Sequence, residues 1–313
     1  MDRKNIIGCI KCSNNAIIIA DNRTKPYCEE HFVEYFEKKV FQTIREYKMI
    51  KKGEHVAVGL SGGKDSTVTL YLLKKLQQRL PFKLSAILMD EGIRGYRDKA
   101  YKQAKKQCKE IGVKLHYFSF VKEYGVNIDK ISKLTKKFGT CSYCGVLRRD
   151  LLEKAAKKIK ANKIATGHNL DDIAQTIILN IIRNEPKRLL RISPNSQLTK
   201  QESSSEFLPR IFPLAKMAEI EVAAYAMLKN LNMHFQDCPY ANQAMRQKVR
   251  EIINILEDSY PGTKIRIYRF LENLKSLRKE QQQGLKKCKK CNKPSSTNLC
   301  AKCKLLRDLK CQK

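Results

Sequence analysis

Nine of the twelve cysteines in this 313-residue chain fall in C-x-x-C or C-x-x-H pairs. That spacing brings two soft donors to one point, and in a reducing compartment it signals metal or redox chemistry in preference to disulfides. Cys9-x-x-Cys12, fifteen further residues and Cys28-x-x-His31 make one four-ligand set. Cys288-x-x-Cys291, eight residues and Cys300-x-x-Cys303 make a second. Both match the tetrahedral N/S donors of a structural zinc site, so two Zn2+ ions are expected. A third group combines Cys141-Ser142-Tyr143-Cys144 with the distant Cys238-Pro239-Tyr240 and has no evident fourth ligand. The residues alone leave three readings of it open. It could hold a [4Fe–4S] cluster with one iron free for a non-protein ligand, act as a redox pair, or bind a third zinc completed by His168 or His234. Cys108 and Cys311 take no assignment.

A second kind of chemistry lies in Ser61-Gly62-Gly63-Lys64-Asp65-Ser66. The segment follows the apolar run His55–Leu60 and opens a helical pattern carried by Val68, Leu70, Leu73 and Leu76. Glycines without Cβ let backbone N–H groups approach phosphate oxygens, and a helix N-terminus adds favourable partial charge. It is not a Walker A loop, because GxxxxGK[ST] is missing.

The elements that must position these groups alternate. Strands are expected over 55–60, 84–89, 115–120 and 163–166, with helices through 101–110, 147–160 and 171–183. Such alternation predicts an α/β fold with a parallel sheet and helices on both faces. Sites in such sheets form at the carboxyl ends of the strands. That rule places Ser61–Ser66, Asp90–Glu91 and Gly167–Asp172 on one rim. Upstream, Phe36, Val40, Phe41, Ile44 and Tyr47 predict a helix over 35–52 that joins the first zinc module to the core. Downstream, the Pro- and Ser-rich stretch 184–213 is expected as a long mobile loop, followed by helices over 214–231 and 243–258. The expected division is 1–34 for an N-terminal zinc module, 35–284 for a catalytic domain and 285–313 for a C-terminal zinc module.

Lys and Arg exceed Asp and Glu by 63 to 31, a formal charge of +32. A surface that basic calls for a polyanionic partner, with nucleic acid first among the candidates. Lys136-Lys137, Lys187-Arg188 and Lys286–Lys290 are the candidate contacts. No run approaches the roughly 20 apolar residues of a bilayer span, and no apolar signal core precedes the first cysteine pair. A cytoplasmic protein without a membrane partner is expected.

The S-G-G-K-D-S segment resembles the PP-loop of the ATP pyrophosphatase superfamily, whose members cleave ATP between the α and β phosphates and adenylate a substrate. The resemblance implies that Leu60, Ser61, Gly62, Gly63, Asp65 and Ser66 surround the ATP phosphates and Mg2+, with Met89 by the adenine. Gly167-His168-Asn169-Leu170-Asp171-Asp172 resembles the second nucleotide-side motif. A carboxylate there is expected on magnesium, Asp172 ahead of Asp171. Zinc module, PP-loop, C-x-x-C-G, G-H-N-x-D-D, late C-P-Y and terminal zinc module occur together and in order. That arrangement is similar to the TtuA/NcsA-type tRNA 2-thiouridine synthetases over essentially the whole chain.

The similarity implies adenylation of a uridine C2 oxygen and its replacement by sulfur, with release of AMP and pyrophosphate. Cys141, Cys144 and Cys238 would then hold a [4Fe–4S] cluster that presents hydrosulfide. Lys64 would offset phosphate charge, and Asp172 or Arg148 would manage protons or orient the base. Arg148 stands where some relatives carry Lys. The implied partners are tRNA, a sulfur donor (a ubiquitin-like thiocarboxylated carrier protein or free sulfide) and a second copy of the chain. The alternatives are cytidine 2-thiolation, lysidine synthesis, which has no use for the three cysteines, and a non-catalytic RNA-binding zinc protein with a degenerate nucleotide fold.

Overall fold

The computed structural model describes residues 7–134, 139–196, 207–232, 238–240, 245–276, 286–295 and 297–310. An antiparallel hairpin of β1 (Ile18–Ala20) and β2 (Lys25–Tyr27) leads directly into α1 (Glu29–Glu46). This helix begins six residues before the expected start. Glu29 and Glu30 favour its N-terminus, and Phe32, Phe36, Val40, Thr43 and Ile44 form its buried stripe. It ends at Glu46, before Lys48 turns left-handed at φ 47°.

The core then runs β3 (His55–Gly59), α2 (Lys64–Leu76), β4 (Lys83–Asp90), α3 (Arg97–Ile111) and β5 (Lys114–Ser119). Short helices α4 (Phe120–Tyr124) and α5 (Ile128–Lys133) precede α6 (Thr140–Lys158), β6 (Lys163–Ala165) and α7 (Leu170–Ile182). After α8 (Pro186–Leu189) and β7 (Arg210–Ile211), the helices α9 (Glu219–Leu228), α10 (Met245–Ser259) and α11 (Thr263–Ser276) complete this part of the chain. The final module comprises β8 (Lys286–Lys287), β9 (Pro294–Ser295) and α12 (Ala301–Lys310).

The five core strands are parallel in the order β5-β4-β3-β6-β7. The chain builds outward from β3 through β4 and β5, then returns to the other side of β3. The order therefore reverses between β3 and β6, where doubly wound sheets open a crevice for ligands. The loops leaving those two strands are the Ser61–Ser66 and Gly167–Asp172 segments.

Several expectations need correction. The stretch 184–213 is not wholly loop: α8 and β7 lie within it, and Ile211 is fully buried as β7 pairs with β6. Two residues flanked by prolines are too few to show a strand pattern. Residues 197–206 lie outside the described residues, as do 243 and 244 of the helix expected there. The helix expected from 214 begins only at Glu219. Helix α6 starts at Thr140, seven residues early, so Cys141 and Cys144 sit inside it, not ahead of it. Cys-Ser-Tyr-Cys-Gly has no apolar period to betray its first turns. Helix α11, unforeseen, buries Ile265, Tyr268 and Leu271 at helical spacing.

Two cores flank the sheet. One packs α1, α2 and α9 with the hairpin residues Ala20 and Tyr27. The other packs α6 and takes in Leu305 and Leu309 of α12. Both terminal modules are thus continuous with the central packing. Among the described residues, no helix is long and apolar enough to cross a membrane.

Candidate active site

Strand β3 is buried from Val56 to Val58, and the Leu60 N–H still donates to Ile87 O at 2.8 Å. At Ser61 the chain leaves the sheet. Gly62 takes φ 88°, which L side chains rarely adopt, and Gly63 caps α2 without a side-chain partner for its first amides. Those amides are the groups that receive anions. The loop is tied internally: the Ser61 N–H donates to Ser66 Oγ at 3.1 Å, Ser66 Oγ donates to Gly63 O at 3.0 Å, and the Gly63 N–H donates to Ser61 Oγ at 3.3 Å. The second segment lies directly against it. A Cβ on Gly167 would stand 2.6 Å from the Asp65 carbonyl carbon and 2.7 Å from the Ser66 nitrogen. Asn169 closes the junction by donating from Nδ2 to Asp65 Oδ1 at 3.0 Å. Met89, mostly buried, sits near the end of the adjoining β4.

Asn169 and Asp172 form a capping box at the start of α7. The two aspartates then part. Asp171 is buried, its Oδ2 accepts the Glu219 N–H at 2.8 Å, and its Oδ1 pairs with Lys264. It fastens α9 and α11 to α7. Asp172 keeps 35% of its side chain exposed, and among the described residues its charged partner is Arg246, at 3.7 Å. Burial raises the pKa of Asp65, and Asp172 nearby raises it further against the pull of Lys64 and Asn169. Two carboxylates that repel each other beside a phosphate-type loop suit a divalent cation. Lys64 Nζ is 3.1 Å from Asp65 and 2.8 Å from Glu219, and this pairing raises its pKa against the effect of burial.

The cysteine group assembles on α6. Cys141 Sγ donates to Tyr240 O at 3.1 Å, drawing the Cys238–Tyr240 segment onto the helix. Tyr240 is anchored in turn by Asp129 at 2.9 Å and Ser132 at 3.1 Å. Burial raises the pKa of Cys141 and Cys144, and Cys238 adds to both shifts. The three thiols are neighbours, yet they do not gather within 4.8 Å as the two four-ligand sets do. One zinc ion holds its sulfurs about 3.8 Å apart, from a Zn–S bond of about 2.3 Å. A four-iron cube, held at its corners, needs the wider spacing. Of the proposed fourth ligands, His168 instead meets Thr166 Oγ1 at 2.7 Å and the Phe212 ring at 5.0 Å, and His234 lies outside the described residues.

Between loop and cysteines stands a group that sequence reasoning left without a role. Glu91 is fully buried at the end of β4, and its Oε1 accepts from Arg148 Nε at 2.7 Å. Its other oxygen pairs with Arg97, whose Nη1 donates to Ser61 O at 3.3 Å. Arg148 Nη2 reaches Cys144 Sγ at 3.4 Å, and pairing with Glu91 raises its pKa. The available signal was a carboxylate closing an apolar strand ahead of Gly92, where a Cβ would stand 2.5 Å from Asn127 Cβ. Arg97 carried no comparable signal.

The family model for the PP-loop domain matches residues 32–256. A tRNA 2-thiolation protein (NcsA) of Haloferax volcanii is 34% identical over 316 residues, covering 96% of this chain and 98% of its own. The tRNA-5-methyluridine(54) 2-sulfurtransferase of Pyrococcus horikoshii is 38% identical over 298 residues, covering 95% and 92%. This chain belongs to the PP-loop tRNA 2-thiolation family. A solved member, the U34-tRNA thiolase NcsA of Methanococcus maripaludis with its [4Fe–4S] cluster, superposes at a TM-score of 0.81 with 35% identity, covering 96% of both chains.

The terminal modules of this PP-loop protein each converge on one point. Cys9, Cys12, Cys28 and His31 present their donor atoms within 4.8 Å, as do Cys288, Cys291, Cys300 and Cys303. In the first set, Cys12 and Cys28 sulfurs are 3.7 Å apart and His31 Nδ1 is 3.2 Å from Cys28. In the second, Cys291 and Cys300 are 3.6 Å apart. Burial opposes ionisation of Cys9, yet backbone amides bring it down to about 6, and Cys288 behaves alike at about 6. Cys12, Cys300 and Cys303 shift upward instead, burial and neighbouring sulfurs contributing to each; three sulfurs with the His31 imidazole, and four sulfurs, are both zinc donor sets.

Proposed function

We propose that this chain is a cytoplasmic tRNA-uridine 2-thiolase that uses ATP, Mg2+, two structural Zn2+ ions and a [4Fe–4S] cluster. The observation that carries the reading is the shared rim: the loop after β3 and the cysteine helix α6 meet there across the Arg97–Glu91–Arg148 bridge. Around the phosphates, the amides of Ser61–Ser66 and the Lys64 ammonium offset negative charge, while Asp65 and Asp172 supply carboxylates to magnesium. The uridine C2 oxygen is a poor leaving group. Attack of that oxygen on the α phosphorus releases pyrophosphate, and the oxygen then departs with AMP when sulfur attacks C2. A cluster bound by Cys141, Cys144 and Cys238 would supply an open iron for a sulfur ligand. Arg148, beside Cys144, orients the base and balances charge as AMP leaves.

On this reading residues 1–34 and 285–313 are zinc modules flanking a catalytic unit of 35–284, with α1 shared across the first boundary. The +32 charge serves tRNA phosphates. Lys187, Arg188, Lys289 and Lys290 are exposed and available for them. Lys136, Lys137 and the Lys286 side chain lie outside the described residues. Exposed Ile181, Ile182, Ile252, Ile255 and Tyr260, on α7 and on and just after α10, support a homodimer contact. Unpaired thiols throughout the described residues suit a reducing cytoplasm. Sulfur comes from a carrier-protein thiocarboxylate or from free sulfide.

The test is anaerobic purification with iron and acid-labile sulfide counted before and after Cys238→Ala, beside an ATP-plus-sulfide assay on unmodified tRNA. About four irons per chain that vanish in the variant, with 2-thiouridine and AMP formed only by the wild type, are the expected results. Iron-free protein that still thiolates would discard the cluster, and the absence of both AMP and 2-thiouridine would discard the enzyme.

A further inference from the structure

We propose that Glu91 is a positioning residue coupling the Ser61–Ser66 loop to the cysteine site: Arg97 ties it to the loop backbone, and Arg148 carries its charge to the Cys144 sulfur. The inference deepens the proposed function and rests on it.

The side chain of Glu91 has no exposure at all, and each of its two oxygens has one guanidinium. A carboxylate out of water interacts strongly over short distances, so each arginine is held where the other leaves it. Arg97 is equally confined, 6% exposed, and is packed over the Tyr96 ring at 5.1 Å. Its guanidinium donates to Ser61 O, the carbonyl at which β3 becomes the loop.

In that loop the amides at the start of α2 have no side-chain cap, whereas two earlier ones are engaged. The Ser61 and Gly63 amides now serve the Ser66 and Ser61 hydroxyls. The Ser61 carbonyl that Arg97 holds shares its peptide plane with the Gly62 N–H, which lies between those two amides, so an anion drawn to the Gly62 amide turns the Arg97-held oxygen with it. The displacement passes through Glu91 to Arg148, the end of the chain that differs chemically. Arg148 is 41% exposed, so it can move, and it touches Cys144 at 3.4 Å. Glu91 itself touches neither nucleotide loop nor sulfur. Its backbone is fixed by Ile128, which donates to Glu91 O at 2.9 Å, so the carboxylate acts as a pivot.

The test uses the full-length, cluster-loaded protein and a non-hydrolysable ATP analogue. The readout is the visible and electron-paramagnetic spectrum of the cluster, with and without nucleotide. Wild type is expected to show a nucleotide-dependent spectral change. Glu91→Gln, nearly isosteric and neutral, is expected to bind the analogue within about threefold of wild type, keep its iron, and lose that change. Its thiolation should fall in kcat by about tenfold or more with KM little altered. Arg97→Lys, at the loop end of the bridge, should weaken the spectral change in the same way and serves if Glu91→Gln does not fold.

An undiminished spectral response in either folded variant would overturn the coupling. A wild type that binds both iron and nucleotide but shows no response would overturn it too, leaving the proposed function standing. A wild type lacking iron or nucleotide binding would remove the proposed function, and the coupling with it.

Discussion

Replacing Gly167 by Ala adds one methyl group where two backbones already touch. The new Cβ would lie 2.6 Å from the Asp65 carbonyl carbon, 2.7 Å from the Ser66 nitrogen and 2.8 Å from the Asp65 oxygen, whereas ordinary contact begins at 3.4 Å. All three are backbone atoms at the start of α2, so no rotamer relieves the clash. The three contacts fall short by about 0.6–0.8 Å, so the loop and the β6–α7 junction must separate, an overpacking that costs about 1–3 kcal/mol. A misplacement approaching 1 Å also costs about 10²-fold in rate when the displaced group positions substrate. Gly145→Ala is the matched control. Its Cβ would meet only the flexible Arg149 side chain, at 3.6 Å, inside helix α6. There Ala should stabilise by up to about 1 kcal/mol through helix propensity. Thermal unfolding and nucleotide titration on both variants decide the matter. Gly167→Ala should melt lower and bind ATP more weakly, and Gly145→Ala should melt no lower than wild type. A Gly167→Ala protein with wild-type melting and wild-type affinity would refute the claim that the two segments form one site.

The two neighbouring aspartates should separate by assay. Asp171→Ala strands a nearly buried Lys264 and should cost about 3–5 kcal/mol in denaturant unfolding, while Asp172→Ala should cost about 1 kcal/mol as a lost capping partner and cut AMP release by about 10²-fold or more. His55 is buried, with Nε2 at 2.9 Å from Ser85 Oγ and Nδ1 at 3.2 Å from Lys160 O, and burial lowers its pKa below the ordinary value. A depressed folded value means that its contribution is complete above about pH 6.5 and is lost as pH falls through the folded value. Urea midpoints should therefore fall more steeply below that pH in wild type than in His55→Gln. Cys303→Ser should lower the zinc count and the melting temperature, because Leu305 and Leu309 leave a core in which each buried leucine contributes about 1.5–3 kcal/mol. Zinc analysis beside calorimetry checks it.

The alternation of strands and helices was legible where strands such as β3 and β4 are largely apolar runs ended by polar or glycine residues, as at Val56–Leu60 before Ser61. Both zinc-type sets were legible because their ligands are local pairs. What escaped was set by contacts between distant segments. Strand β7 exists because Ile211 finds β6, which no two-residue pattern announces. The first turns of α6 are helical although Cys141, Ser142 and Gly145 carry no period, since Tyr143 and Leu147 are buried beneath them. Glu91 was placed on the correct rim, but its value depends on Arg97 and Arg148, six and fifty-seven residues away. The different surroundings of Asp171 and Asp172 likewise come from Lys264 and Glu219, which hold Asp171.

Helix α6 shows why the cysteine site needs so much of the chain. Cys141, Cys144 and Arg148 follow one another at three- and four-residue steps and so share a face. The rest of the helix is gripped from other directions. Asp150 meets Lys293 at 2.7 Å and Lys302 at 3.5 Å, both in the C-terminal module, and accepts from Tyr124 at 2.8 Å. Glu153, almost fully buried, accepts the Leu208 N–H at 2.8 Å and so steadies the approach to β7. Arg148 fixes the remaining side through Glu91. A cluster of the kind proposed here would require its sulfurs to hold their positions while nucleotide and RNA come and go. A helix N-terminus alone, with a glycine in its second turn, would not do that. The C-terminal module belongs to this support: by holding Asp150 and burying Leu305 and Leu309 beneath α6, it restrains the helix that carries the thiols.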